Sequence, residues 1–255
     1  MYGIENKIYR QLVKLKGAYS LQGIKAEFEA EGSSFRDLIR LRRMTLDLGI
    51  KLFLKIGGVE AVKDIKDSLD IGVDGLIAPM VESKFGAKKF IEAYRKIYKD
   101  TRLHLTLNIE TRTAVKQMEE ILDYAKDKVD AITIGRTDLS GSYFNKDIYP
   151  DSGFMFNLLG AIGKQIKHYN LKATIGGSLT IGSIDLFKQH RQVARFFDKL
   201  ETRKVILPAA VMLNNPNAIK EALKFEELYI LSKKEINDLF IESDIARLTQ
   251  LARRL

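Results

Sequence analysis

The sequence contains no cysteine. That excludes disulfides, thiol nucleophiles and cysteine-ligated metals, and it leaves the redox compartment open. No window holds about 18 consecutive apolar residues, so no membrane partner is expected. The opening MYGIENKIYRQLVKLKG mixes acid and base and lacks the apolar centre of a signal peptide, which makes a cytoplasmic protein the default expectation. No Gly-x-Gly-x-x-Gly or P-loop follows an early strand, which weakens a nucleotide-binding reading. The formal net charge is +9, yet no long block of like charges occurs. Lys and Arg alternate with acids, as in EAYRKIYKD and LSKKEINDL. Such patterning describes solvated helix faces, not a nucleic-acid partner, and the remaining use of the charge is steering of small anionic ligands.

What is present is a steady alternation. Across 255 residues, 45% hydrophobic and 29% charged, the chain can bury a full core in one large domain or two small ones. GIKAEFEAE sets Ile24, Ala26, Phe28 and Ala30 against Lys25, Glu27, Glu29 and Glu31, a period of two. SFRDLIRLRRMTLDLG follows with helical spacing and ends at Gly49. The same exchange of strand and helix continues through KLFLKIGG, GLIAPMV, LHLTLNIE, DAITIG, KATIGGS and RKVILPAAV. Parallel strands need crossovers of this length, and about 250 residues of regular alternation suit a (β/α)8 TIM barrel better than an open doubly wound sheet. Seven strands are clear, and LKGAYS is the best candidate for an eighth. The reading is thus an α/β fold, with the barrel over residues 1–215 and a C-terminal helical extension over 216–255. That extension reads as two or three helices, with Ser232 and Glu235 at capping-box spacing, wrapping the barrel or packing on another subunit.

In such barrels the active site lies at the C-terminal ends of the strands. The residues expected there are Glu29 and Glu31, Lys55, Asn108 and Glu110, Arg136 and Asp138, and Gly176 and Gly177. Hard divalent ions take oxygen ligands, often one or two carboxylates with water and substrate completing the shell. Glu110 and Asp138, on successive strands, form such a pair; each alone is as readily a helix cap or a solvated loop residue. Lys55 reads as a plain cation in preference to a Schiff-base lysine.

The stretches LNIETRTAVKQMEEILDYAKDKVDAITIGRTDLSGSY and GVDGLIAPMVES resemble the HpcH/HpaI-type aldolase and citrate lyase β-subunit superfamily. The likeness is good over roughly residues 50 to 145 and holds elsewhere only in pattern. It implies a metal-dependent (class II) aldolase or other carbon–carbon lyase on a (β/α)8 barrel, working through the enolate of a 2-oxo acid. Mg2+, or Mn2+, would be held at Glu110 and Asp138, and backbone N–H groups near Thr137 would meet the substrate carboxylate. Assembly into a homo-oligomer through C-terminal helices is implied as well. The sequence departs from the family at three places. Lys55 stands where an Arg is usual, Arg136 where a Pro is usual, and Gly32 near where a His is expected. Arg136 is therefore read as a cation for an extra anionic group on the substrate, and Glu29 or Glu31 as the replacement base. Asn108 is read as orienting substrate, and Gly176 and Gly177 as offering N–H groups to an anion. A citrate-lyase-like acyl-CoA lyase, or a barrel retained only for binding, stands as the alternative.

Overall fold

The computed structural model describes residues 3–28 and 30–254. Eight strands close into a barrel in chain order: β1 Gly23–Glu27, β2 Leu52–Lys55, β3 Gly75–Ala78, β4 His104–Ile109, β5 Ala131–Gly135, β6 Lys172–Gly176, β7 Lys199–Glu201 and β8 Val205–Pro208. Successive strands from β1 to β7 are parallel, whereas β8 runs antiparallel to both β7 and β1. The last crossover of a regular barrel is thus replaced by a hairpin. Its turn, Thr202 to Lys204, stands at the rim where the parallel strands end.

Strand alternation explains what faces where. Ile24, Ala26, Leu52, Leu54, Leu76, Leu105, Leu107, Ile132, Ile134, Ala173 and Ile175 join the helices in one continuous apolar core. The alternate residues, among them Lys25, Glu27, Lys55, Thr106, Asn108, Thr133, Thr174 and Glu201, border cavities in the barrel interior. Barrels of this type usually fill that space with branched aliphatic side chains. Here, among the described residues, the apolar filling is a small separate cluster of Phe53, Ile77 and Ile206.

The opposite end of the barrel is tied by a repeated device. Asp74, Asp130 and Asp198 each immediately precede an odd-numbered strand and accept the backbone N–H of the preceding strand, from Leu52, Leu105 and Ala173, at 2.8 Å in every case. Each also meets a cation: Arg42 at 2.7 Å, Arg102 at 2.6 Å and Lys167 at 2.6 Å. The carboxylates therefore satisfy edge donors that no strand partner reaches.

Three sequence expectations change. LKGAYS is not a strand: all of it but Ser20 lies in the helix Gly3–Tyr19, whose buried Leu12 and Leu15 follow helical spacing. RKVILPAAV supplies the last strand, β8, and the strand before it, Lys199–Glu201, was hidden in what reads as the end of a helix. The C-terminal region is a short helix Ala209–Asn214 followed by one helix of 35 residues, Ala218–Ala252. Ser232 lies inside that helix and donates to the Tyr229 carbonyl at 2.9 Å, so it caps nothing. The first half of this long helix packs on the N-terminal helix, where Gln11 and Lys14 both donate to the Glu221 carboxylate, at 2.8 and 2.6 Å. From Asn237 onward every described residue is exposed.

Candidate active site

At the C-terminal rim of the parallel strands lies a cavity of about 390 Å³, lined by side chains from most of the strands and by Leu223 and Glu226 of the C-terminal helix. Glu110 follows β4 and is 2% exposed. Its carboxylate accepts the Met80 backbone N–H at 2.9 Å and the Asn108 side-chain amide at 3.1 Å. Burial is the main force raising its pKa, and the charge of Asp138 adds to it. Lys55, the Met80 N–H and the Asn108 amide oppose the rise without cancelling it. Asp138 enters from the first turn of the short helix Arg136–Gly141. Gly135 lies against Glu110: a Cβ there would stand 2.5 Å from Glu110 Oε2 and 2.9 Å from its Cβ, so a side chain would displace Glu110.

Gly177 has φ +85°, which favours glycine, and a Cβ there would lie 2.6 Å from the backbone nitrogens of both Arg136 and Thr137. The Thr137 hydroxyl pairs with that of Ser178 at 2.9 Å. Among the described residues Asn108 Oδ1 is buried without a hydrogen-bond partner. Two carboxylates beside a free amide oxygen form a donor set suited to a hard divalent ion that keeps water or substrate in its remaining positions. Among the described residues no cluster of three or more His, Cys, Asp and Glu side chains offers a fuller protein cage. The residues present fit the ion in the two-carboxylate manner.

The cavity lining contains Lys55, Asn108, Glu110, Thr137, Asp138, Gly176 and Gly177, all expected from sequence. Arg136 is not part of it. Its side chain is fully buried, and it donates to the carbonyls of Gly176, Gly177 and Pro150 and to Asp151 Oδ1, the last at 2.5 Å. Four of its five N–H donors are thereby used inside the protein, so the expected cation for an extra anionic group is instead a brace for the β6 loop. Burial lowers its pKa, with Asp151 opposing that. Glu31 also points away from the cavity: its carboxylate pairs with Lys204, whose ammonium stacks on the Tyr229 ring at 4.3 Å. Glu29 lies outside the described residues.

The cavity has a second wall that the sequence reading missed: Lys25, Glu27, Glu201, Arg203 and Glu226. Lys25 donates to Glu201 at 2.5 Å, and Lys55 meets Glu27 at 3.4 Å. Burial is the main cause raising the Glu226 carboxyl, with Arg203 and Lys204 opposing. A signal for Lys25 and Glu27 existed. In a barrel sheathed by helices the apolar set of a strand must face outward, so its polar set faces the interior. Glu201 was lost with β7, three residues long and preceded by helical spacing.

A family model described as HpcH/HpaI aldolase/citrate lyase matches residues 41–148, from the helix before β2 to just past Asp138. Solved structures share the barrel. An HpcH/HpaI aldolase from Desulfitobacterium hafniense DCB-2 superposes with TM-score 0.61 at 16% identity, over 79% of this chain and 82% of that one. An HpcH/HpaI aldolase/citrate lyase family protein from Burkholderia cenocepacia J2315 gives TM-score 0.59 at 17% identity, over 84% and 88%. A variant of the citrate synthase SbnG gives 0.58 at 16% identity, over 90% and 89%. No curated protein matches the sequence. The family-model match, together with the shared barrel, supports assignment of the chain to the HpcH/HpaI-type aldolase and citrate lyase superfamily. Lyase or aldolase chemistry, in general terms, goes with that assignment.

Proposed function

We propose that the protein is a divalent-metal-dependent carbon–carbon lyase or aldolase that forms the enolate of a small 2-oxo acid. The observation that supports this most is the pairing of buried Glu110 with Asp138 in one cavity, over a glycine whose missing side chain leaves Glu110 its place. Mg2+ or Mn2+, held by these two carboxylates, would supply Lewis-acid stabilisation of charge on the substrate oxygen. Asn108 holds Glu110 by its amide, and its side-chain oxygen is buried without a partner. The backbone N–H of Thr137, beside Gly177, and the Lys55 ammonium receive the anionic end of the substrate.

With Glu31 committed to Lys204, Glu27 is the cavity carboxylate we assign to proton transfer. Lys55 at 3.4 Å and Arg203 at 3.9 Å flank it, so its charge is compensated at the mouth. We also propose that the protein works as a homo-oligomer joined through the exposed half of its C-terminal helix.

Titration with Mn2+, followed by water-proton relaxation, tests the metal assignment without needing a substrate. One tight site is expected in the native protein, weakened at least about 100-fold in Glu110→Gln and Asp138→Asn, because each removes half of the protein's charged donor set. Equal binding by the variants would place the ion elsewhere.

A further inference from the structure

The barrel interior repeats the arrangement around Glu110 on its other side. Gly135 of β5 and Gly176 of β6 are register partners. A Cβ on Gly135 would lie 2.5 Å from Glu110 Oε2, and one on Gly176 would lie 2.9 Å from Glu201 Oε1. Each glycine is therefore overlain by a glutamate from the flanking strand's C-terminal end, Glu110 just after β4 and Glu201 as the last residue of β7. Neighbouring strands are about 4.8 Å apart, so the two carboxylates lean toward each other over a two-glycine floor.

Lys25 completes the group. Its ammonium donates to Glu201 Oε1 at 2.5 Å, and the two side chains are 12% and 4% exposed. One of its three N–H donors is spent in that bond. Lys25 also borders the cavity that Glu110 and Asp138 line. Burial alone would lower its pKa, but Glu201, Glu27 and Glu110 more than offset that and hold it above the ordinary lysine value. The ammonium is thus a fixed positive charge with unspent donors, and a protonated amine of this kind is unsuited to Schiff-base formation.

A buried ion pair contributes little stability compared with apolar residues of similar size. This one occupies a position that barrels normally fill with aliphatic side chains, and it opens onto the cavity instead of being sealed from it. We infer that Lys25, held in place by Glu201, is a catalytic residue that donates a hydrogen bond to the substrate oxygen on which enolate charge develops. The inference rests on the enolate reading above. Lys25 acts on charge that appears during the reaction, where a preorganised donor in a water-poor site has its largest effect.

Lys25→Met alone would strand Glu201 unpaired, so the decisive protein is the double variant Lys25→Met with Glu201→Met. Removing both charges together leaves neither carboxylate nor ammonium uncompensated. The double variant is expected to unfold at a temperature close to the native one and to bind Mn2+ unchanged. Its rate of deuterium exchange into the pyruvate methyl group is expected to fall about 100-fold or more. Exchange within threefold of the native rate would overturn the catalytic role and leave the pair structural. If the native protein exchanges no protons, the enolate reading falls and takes this inference with it. A measurement on the native protein covers the case of a variant that does not fold. Adding pyruvate and Mg2+ should shift the side-chain 15N resonance of Lys25, and an unmoved resonance would overturn the inference.

Discussion

His104 opens β4 at the end of the barrel away from the cavity, edge-on to Phe53 with 5.4 Å between ring centres. Burial lowers its pKa from 6.5 to about 4, and the Asp130 carboxylate at 3.9 Å does not restore it. Between those two values the unfolded chain binds more protons at this position than the folded one. Stability from His104 is therefore complete above pH 6.5 and is lost as pH falls toward about 4. Denaturant titrations across that window should show stability rising with pH, and His104→Gln should flatten the slope; an unchanged slope would remove His104 as its source. Six residues of strand separate it from Glu110, about 20 Å at ~3.3 Å per residue, so spacing alone sets it apart from the site. Sequence does not disclose what Arg136 does. A cation at a strand end reads as a ligand for anions, and its burial against three carbonyls depends on the β6 loop and on Asp151, which no local pattern connects.

Elements were legible where periodicity was long. β1 to β6 and their crossovers follow from apolar alternation and helical spacing, because each strand has helices on one side and the barrel interior on the other. β7 was not legible, having three residues and a helix-like approach, and without it the hairpin turn that brings Arg203 to the cavity could not be placed. The Asp clamps belong to this scale too. VDG, VDA and FDK look like ordinary loop residues until the barrel sets each beside its neighbour's free N–H. Asp130→Ala should lower unfolding free energy by about 1 to 3 kcal/mol, the usual cost of a buried donor left unsatisfied. Its effect should exceed that of Asp123→Ala, whose partner Lys126 lies on the helix surface. Chemical denaturation checks both, and equal effects would show that the clamp adds nothing beyond a surface ion pair.

For the whole molecule, the long C-terminal helix links the cavity to a surface. Leu223 and Glu226 border the mouth, and the same helix continues into a segment that leaves Phe240, Ile241, Ile245 and Leu248 between 52% and 65% exposed. Monomeric soluble proteins seldom present such a contiguous apolar stripe. The Ile241→Glu, Ile245→Glu, Leu248→Glu triple variant should shift the mass seen in sedimentation from oligomer to monomer and leave Mn2+ affinity unchanged. An unaltered mass would remove this helix from the interface.

Enolate chemistry at Glu110 and Asp138 is tested most directly by proton NMR of pyruvate in heavy water with the protein, with and without Mg2+ or Mn2+. Metal-dependent loss of the methyl signal is expected, slowed about 100-fold or more by Glu110→Gln and by Asp138→Asn. Exchange that persists after chelation of the metal or in either variant would contradict it, as would a native protein that leaves the methyl protons in place.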